Sequence, residues 1–375
     1  MSKTLLVEVV TEEIPAGYIE PALLAMKALM QQKLSQARIE YGAMQTYATP
    51  RRLALMVQGV AERQASITRE VVGPPKGVAF DAKGRPTKAA EGFAKGQGVS
   101  VNRLSIKATV KGDYVCVKKI ERGLASWRLL QNILPEVITS ISFPKSMRWA
   151  DLDLTFVRPI HSILALLGDR IIPFKLGNIR SGRRTLGHRF MHTRSIAISD
   201  SSKYLNFLRS AYVVVDIAER RNVIERGIAK AAQKLGGDVI SDDDLLDTVT
   251  QLVEYPAVSA GTFDKAFLEL PREVLITAMR EHQKYFAVVS SDHQLLPCFI
   301  AVNNTPVENM SVVTSGHERV IRARLEDARF FFETDAKVPP HEMLNGSRGS
   351  CFRPSWEPCL RRCVVCRNWP STLLN

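Results

Sequence analysis

The chain has 375 residues, of which 45% are hydrophobic, and a formal net charge of +13 at neutral pH. This length accommodates two or three domains, each with its own core. Acidic residues interrupt the first apolar run, which excludes a secretory signal pattern, and the longest apolar stretches are too short to cross a bilayer. We therefore expect a soluble, cytoplasmic protein that does not associate with membranes. The charge favours a polyanionic partner such as RNA, although a basic protein without an anionic ligand would show the same balance.

Residues 1–65 predict a small N-terminal α+β unit. An apolar strand at Leu5–Val10 precedes a helix that runs from near Pro15 to about residue 39. Two strands follow, near 43–48 and 52–60. The helix is indicated by apolar residues at helical spacing, namely Leu23, Met26, Met30, Leu34 and Ala37.

Residues 66–150 predict a basic loop and a connecting α+β segment. Glycines and a Pro-Pro pair within 73–98 favour a mobile loop with one short helix at 87–95. Loops of this size are usually functional or disordered, so the segment is either a solvated linker or a contact for the RNA backbone. Its candidate nucleic-acid-binding residues are Lys76, Lys83, Arg85, Lys88 and Lys95.

Residues 151–310 predict a central α+β domain. A hairpin is expected around Gly168-Asp169, and a helix, a strand at Tyr212–Val215 and a second helix are expected over 201–235. Further helices begin near Ser241 and Pro271, and two strands follow at Tyr285–Val289 and Leu296–Val302. A last helix at 317–333 lies in the segment 311–340. Short strands and helices without regular βαβ alternation indicate a multidomain α+β fold.

A second basic segment, 180–194, contains no acidic residue. Arginine binds phosphate through forked donors, so this segment is a candidate RNA contact. His188 and His192 are four residues apart and could hold zinc on a helix, but the surrounding positive charge opposes a dication. The candidate nucleic-acid-binding residues are Arg180, Arg183, Arg184, Arg189 and Arg194.

Other polar clusters have structural explanations. Asp242–Asp244 follow Ser241, a good N-cap, and complement a helix dipole, which is favoured over a magnesium site. Arg280–Lys284 is typical of a helix C-terminus and is favoured as such over an acid–base site. Cys116 and Cys298 lie in apolar runs and are predicted to be buried. No phosphate-binding loop, nucleophile elbow or dinucleotide fingerprint is present in the sequence, so we assign neither a catalytic residue nor a metal site.

Two dense blocks, LELPREVLITAMREHQKYFAVV at 268–289 and GHERVIRARLEDARFFFE at 316–333, closely resemble the bacterial glycyl-tRNA synthetase β subunit. The resemblance continues upstream through LLVEVVTEEIPAGYIEPAL, TPRRLALMVQGV, FPKSMRW, FVRPIHSILALLGD and VDIAERRNVIERG. It covers about residues 1–340 in order. Many dispersed blocks in one order are far more specific than a single short motif.

The resemblance implies a role in an α2β2 enzyme that joins glycine to tRNA(Gly). In that family the α subunit holds the catalytic core, so ATP and Mg²⁺ would bind to α and no cofactor to this chain. Family β subunits are longer and add a helical domain and an anticodon-binding domain. The resemblance therefore implies a truncated β subunit that is inactive alone, in which the helix of 311–340 leads to a missing helical domain. The alternatives are a stand-alone, non-enzymatic RNA-binding protein and an inactive frameshifted fragment.

The segment 341–375 resembles nothing in that family and changes abruptly in composition. We expect an irregular, disordered tail, consistent with an altered reading frame. Cys363 and Cys366 form one C-x2-C half-site, but Cys351 and Cys359 lack the matching spacing. A zinc-dependent interaction module is therefore the weaker alternative for this tail. The row Phe330-Phe331-Phe332 is too apolar for solvent on all sides and is expected to contact a partner, either inside this chain or in a domain that should follow.

Overall fold

The computed structural model describes residues 2–81, 83–109, 112–150 and 153–339. The chain divides into two compact units with the boundary after Ile217. Both units mix helices and strands, with four sheets in the described part of the first unit and one in that of the second, which confirms the predicted α+β class. The four cysteines of the C-terminal segment, Cys351, Cys359, Cys363 and Cys366, lie outside the described residues, as does the predicted tail 341–375.

Within the described residues, the first unit contains fourteen strands and five α-helices. In chain order these are β1 (Ser2–Thr11), α1 (Ala16–Gln36), β2 (Met44–Thr49), β3 (Arg52–Ala61), β4 (Ile67–Pro75), α2 (Lys76–Ala79), α3 (Lys88–Gln97), β5 (Ser105–Thr109), β6 (Gly112–Glu121), α4 (Ser126–Thr139), β7 (Met147–Arg148), β8 (Thr155–Phe156), β9 (Ile160–Leu167), β10 (Arg170–Ile171), β11 (Lys175–Leu176), β12 (Ile179–Gly182), β13 (Arg184–Leu186), β14 (Ser195–Ala197) and α5 (Tyr204–Ser210).

 The largest sheet of this unit has the strand order β11-β12-β9-β1-β3-β2, and β10 forms the predicted hairpin with β9 around Gly168.

Strand β1 lies in the middle of this sheet and is buried on both faces. Leu5, Val7 and Val9 face a core that includes α1 and α4, whereas Leu6 belongs to a second cluster with Tyr204 of α5. Strands covered on both faces have continuous apolar runs, which accounts for the run at the start of the sequence. The antiparallel pairing of β1 with β9 also explains why the domain boundaries predicted at 65/66 and 150/151 differ from the boundary after Ile217.

A fully buried polar network crosses this sheet. The Arg52 guanidinium lies 3.3 Å from a carboxylate oxygen of Glu8 and donates to the Leu186 carbonyl at 3.1 Å. Thr185 and Tyr204 donate their hydroxyls to the same carboxylate. Because a buried charge is costly unless it is paired and hydrogen-bonded, these contacts tie β1, β3, β13 and α5 to one arrangement.

The described residues of 73–98, which are 73–81 and 83–98, fold, contrary to the predicted mobile loop. They contribute the end of β4 and the helices α2 and α3, which cover an antiparallel sheet of order β4-β6-β5. The buried core consists of Ala79, Ala90 and Val115. Gly73 leaves room for the Phe93 ring, since a Cβ there would lie 2.7 Å from it. The predicted short helix is confirmed as α3, which Thr87 caps by accepting the Ala89 N–H.

The second unit contains a four-stranded antiparallel sheet of order β15-β17-β18-β16, with helices on both faces. In chain order its elements are α6 (Ile217–Lys234), β15 (Asp238–Val239), α7 (Asp243–Thr250), β16 (Ala257–Thr262), α8 (Arg272–Thr277), β17 (Phe286–Val289), β18 (Leu295–Asn303) and α9 (Met310–Ala336). The predicted boundary at 310/311 lies inside this unit, because Ile321 and Leu325 of α9 complete one of its cores.

Three details of the predicted secondary structure are wrong. Tyr212–Val215 is irregular rather than a strand, and Tyr212 has a left-handed backbone with φ of 58°. The N-cap of α7 is Asp242 and not Ser241. Helix α9 begins seven residues before the predicted start. The predicted helix after Pro271 is present, and it continues as a π-helix at Ala278–Gln283. Cys116 and Cys298 are buried free thiols, as predicted.

The phenylalanine row of α9 is exposed. The exposed fractions are 64% for Phe330, 62% for Phe331 and 42% for Phe332. The predicted partner for this row stays a prediction. Among the described residues, no helix is both long and apolar enough to span a membrane.

Candidate nucleic-acid interface

Positive charge is concentrated in two segments of the first unit. Residues 66–122, here called the basic segment, contain twelve basic and five acidic residues, a formal charge of +7. Residues 180–194, here called the arginine strip, contain five arginines and no acidic residue, a formal charge of +5. Because the whole chain carries +13, the rest of the sequence is close to neutral. A concentrated basic surface is the electrostatic feature expected of a nucleic-acid contact.

The five predicted cations of the basic segment are all exposed and lie on the helical side of the small sheet. Lys76 begins α2, Lys88 and Lys95 lie on α3, and Lys83 and Arg85 lie in the turn between these helices. Within the ranges that the structure describes, Lys76 pairs with Asp113 at 3.6 Å, and the other four form no ion pair. Four of these cations are therefore free to meet phosphate.

The turn that carries Lys83 and Arg85 is held by hydrogen bonds. A carboxylate oxygen of Asp81 accepts the N–H groups of Lys83 at 2.9 Å and Arg85 at 2.7 Å. The Asp81 carbonyl also accepts the Gly84 N–H, and Gly84 has φ of 73°. Such a left-handed residue is cheapest as glycine. The acidic residue of this turn thus serves its backbone, and the two cations have no ion-pair partner among the described residues.

The sheet surface of the basic segment carries further cations that sequence reasoning did not single out. The ammonium of Lys107 lies 2.5 Å from one Glu70 oxygen, and that of Lys118 lies 3.7 Å from the other. The hydrogen bond with Lys107 lowers the pKa of Glu70 and raises that of Lys107. The alternation of side chains along β5 and β6 could have revealed these two lysines, because the strand register places both of them on one face of the sheet. Because they share a carboxylate, they are weaker phosphate candidates.

Within the arginine strip, three of the five predicted arginines have partners inside the protein. Arg183 is half-buried and donates to the Asp169 carbonyl at 3.1 Å. Arg184 donates to the Ser195 carbonyl at 3.1 Å, which joins β13 to β14. Arg189 lies 3.4 Å from Glu12. The contacts of these three arginines are distant in sequence, so the pattern alone could not reveal them.

The two remaining arginines of the strip, Arg180 on β12 and Arg194 before β14, are exposed. Neither has an ion-pair partner among the described residues. They are the members of the strip with the most freedom to contact a ligand. Arg180 lies on β12 of the main sheet and Arg184 on the β13-β14 pair, whereas the five cations near α2 and α3 lie beside the β4-β6-β5 sheet.

Glu12 is an acidic contact of the arginine strip. Its carboxylate lies 2.8 Å from His161 Nε2 and also faces Arg189. The hydrogen bond with His161 is the largest cause of its lowered pKa, and the charge of Arg189 acts in the same direction. This carboxylate therefore stays ionised and neutralises part of the strip's charge.

The histidine pair of the strip does not lie on a helix. His188 is fully buried, and its Nδ1 accepts the N–H groups of Phe190 and Met191 at 3.3 Å each, which holds the turn. The geometry favours this structural role over the zinc alternative. Throughout the described parts of the chain, no group of three or more His, Cys, Asp or Glu side chains is placed to hold a metal ion.

The Asp242 and Arg280 clusters also have structural roles. Asp242 accepts the Leu245 N–H at 2.9 Å and lies 2.5 Å from Arg280. The hydrogen bond with Arg280 lowers the pKa of Asp242. Asp243 pairs with Arg221 at 2.6 Å. These carboxylates cap and anchor α7, which agrees with the structural role favoured from the sequence, although the cap is Asp242 instead of Ser241.

Comparison with known proteins gives one consistent family. The family described as "Glycyl-tRNA synthetase beta subunit" matches residues 5–354. Three similar curated proteins, each called "Glycine--tRNA ligase beta subunit", come from Desulfatibacillum aliphaticivorans, Geotalea uraniireducens and Syntrophus aciditrophicus. The identities are 51%, 51% and 49% over 89%, 90% and 94% of this chain, and over 48%, 49% and 51% of those proteins.

The chain thus spans about half the length of the curated relatives that it matches. The match is nevertheless collinear with nearly all the described residues of both compact units. It also agrees with the resemblance carried by the sequence blocks between residues 5 and 333. The chain belongs to the glycyl-tRNA synthetase beta subunit family.

Proposed function

We propose that this chain contributes tRNA binding to the ATP-dependent attachment of glycine to tRNA(Gly), and that a separate α subunit carries the catalytic core. The observation that carries the proposal is the 51% identity to curated glycine–tRNA ligase beta subunits over about nine-tenths of the chain. At that level of identity, the fold is shared. In this proposal the work is done in the cytoplasm, and ATP and Mg²⁺ bind to the α subunit.

The distribution of charge supports a role in tRNA binding. Phosphate neutralisation supplies most of the sequence-independent affinity for nucleic acid. Residues 66–122 and 180–194 hold nearly all the net charge of the chain, and several of their cations are exposed without an ion-pair partner in the described residues. Their placement on a folded sheet and its helices presents the charges at fixed positions.

Co-purification tests the subunit role. The chain and the α subunit from the same genome are expressed together, with an affinity tag on α only. We expect the untagged chain to elute with α at a constant ratio through gel filtration. A full-length β relative is the positive control. Elution of the two polypeptides in separate peaks, while full-length β still assembles, would contradict the subunit role of this chain.

Aminoacylation with radioactive glycine tests the contribution to the reaction. The chain alone is expected to give no glycyl-tRNA, whereas α with full-length β gives the reference rate. Addition of the chain to α should raise the yield above that of α alone if its tRNA contacts reach the catalytic core.

A separate gel-shift titration with a tRNA(Gly) transcript measures binding directly. Binding of tRNA without association with α would favour the stand-alone RNA-binding alternative.

A further inference from the structure

We propose that a groove between α2, the turn around Gly84 and β5 binds an unpaired base of an RNA strand. We call it the α2–β5 groove. Its volume is about 710 Å³, and its lining residues are Lys76, Gly77, Phe80, Asp81, Gly84 and Ile106. Ligand clefts of proteins commonly have volumes of 300 to 1,000 Å³. The inference rests on the proposed tRNA-binding function and assigns a base-binding site to the basic segment.

The groove offers an apolar surface that the fold itself does not cover. Ile106 projects from β5 with half of its surface exposed. Phe80 is partly exposed and packs against the small core of Ala79, Ala90 and Val115, so its ring is held in place. An exposed aliphatic side chain next to a fixed aromatic ring is a suitable contact for the flat face of a base.

Two glycines open the groove to close approach. A Cβ at Gly77 or at Gly84 would have no heavy atom within 4 Å. A planar ligand can therefore come close to the backbone at both positions. Gly84 needs glycine for its left-handed φ of 73°, whereas no such requirement applies to Gly77. The local backbone therefore does not require glycine at position 77, and the lack of a side chain there leaves open space in the groove.

The charges around the groove fit a nucleotide better than an apolar ligand. Lys83 and Arg85 flank Gly84 and have no ion-pair partner within the described residues. The two acidic groups nearby are engaged, because Asp81 accepts N–H groups of the turn and Asp113 lies 3.6 Å from Lys76. Apolar surface for a base beside free cations for phosphates is the combination by which proteins bind single-stranded nucleic acid.

The combination also favours an unpaired strand over a duplex. In an RNA helix the faces of the bases are stacked and cannot enter a groove, and proteins contact such helices mainly through the backbone. Unpaired nucleotides expose their faces and stack on aromatic side chains. A tRNA contains both kinds of structure, so the α2–β5 groove assigns the unpaired kind to this part of the basic segment.

Filling the groove tests the inference. Gly77→Leu places a side chain in open space inside the groove, and Gly92→Leu makes the same change in open space on α3, outside the residues that line it. Leucine is the better helix former, so both variants should keep the fold, which thermal unfolding checks. The probes are a labelled ten-nucleotide single-stranded RNA, the same sequence as a blunt RNA duplex, and a tRNA(Gly) transcript.

We expect Gly77→Leu to weaken binding of the single strand about tenfold, since stacking of one base contributes about that much to affinity, with little change for the duplex. Gly92→Leu should bind all three probes like the unaltered chain. The groove assignment is overturned if Gly77→Leu binds the single strand normally, if it loses single strand and duplex equally, or if the unaltered chain binds no single strand.

The transcript separates the two proposals. If the unaltered chain binds the tRNA(Gly) transcript and Gly77→Leu leaves both single-strand and transcript binding intact, the groove assignment fails and the proposed function stands. If the unaltered chain binds the single strand but not the transcript, and Gly77→Leu abolishes that binding, the groove stands and the proposed function fails.

Discussion

Removing the free cations near α2 and α3 should reduce the salt dependence of tRNA binding. The variant replaces Lys83, Arg85 and Lys88 with glutamine. All three side chains are exposed and have no ion-pair partner in the described part of the chain, so the change breaks no recorded salt bridge. The Asp81 hydrogen bonds that shape the turn use backbone N–H groups and survive the substitution.

The expected magnitude follows from counterion release. Each phosphate contact contributes about 0.7 to 0.9 to the slope of log affinity against log salt. If all three side chains contact phosphates, the slope becomes shallower by about 2 to 3. With the non-electrostatic part unchanged, the same three contacts contribute on the order of 100-fold in affinity at 0.1 M salt. A smaller change in the slope would indicate that only one or two of the three side chains contact phosphate.

A matched variant separates position from net charge. Arg226, Lys230 and Lys234 are exposed at four-residue intervals on α6 in the second unit. Their replacement with glutamine also removes one arginine and two lysines. Fluorescence anisotropy of labelled tRNA(Gly) at several salt concentrations gives both slopes. Equal slope changes in the two variants, or none in the first, would refute the assignment of phosphate contacts to the basic segment.

Three further predictions concern the stability of the fold. Arg52→Met should lower the free energy of unfolding by about 3–5 kcal/mol, because it leaves a buried carboxylate uncompensated, whereas Lys3→Met at an exposed pair should cost under about 1 kcal/mol. Urea unfolding followed by tryptophan fluorescence distinguishes them, and equal costs would contradict the argument. Gly73→Ala should destabilise by about 1–3 kcal/mol through its clash with Phe93, seen as a lower midpoint in thermal unfolding; an unchanged midpoint would show that the ring relaxes freely. Burial raises the pKa of Tyr285 to about 12 from an unfolded value near 10, so its contribution to stability is full below pH 10 and is lost as the pH rises toward 12. Tyr285→Phe should therefore flatten the fall of stability between pH 9.5 and 11.5 in urea titrations; an unchanged fall would contradict this cause.

Much of the fold was predictable where local pattern and burial agree. The apolar run of β1, the helical spacing of α1 and the hairpin at Gly168 each have a single explanation in terms of side-chain period and turn chemistry. The buried thiols of Cys116 and Cys298 followed from the same strand patterns. In these places tertiary structure covers the surface that the sequence already marks as apolar.

The folded state of residues 73–98 was not predictable in the same way. Its core is built from alanines and one valine, and its key close contact is made by a glycine at position 73. Alanine and glycine carry little hydrophobic signal, so a segment rich in glycine and lysine has the composition of a loop. The partners that stabilise it come from β6, which is distant in the sequence.

The sequence predicted which residues of the candidate interface are basic, but not which of them are free to bind a ligand. All ten predicted basic residues lie on the first unit, yet the sequence could not tell free arginines from engaged ones. Arg189 faces Glu12 and Arg183 faces the Asp169 carbonyl, and both contacts depend on the arrangement of the main sheet. Charge therefore locates a surface, and the fold decides which members of it can bind.

Charge and shape in the basic segment should have separable effects on RNA binding. Exposed lysines and arginines act on phosphates, and their contribution weakens as salt rises. The α2–β5 groove acts on a base through apolar contact, and that contribution depends little on salt. Gly77→Leu should therefore lower affinity for tRNA by a similar factor at low and high salt, whereas the triple glutamine variant should lower it mainly at low salt. If the two sites act independently, the losses in free energy add when the changes are combined. A combined loss smaller than the sum would show that Lys83 and Arg85 hold the same nucleotide as the groove. Because both residues lie beside Gly84, we expect this smaller combined loss.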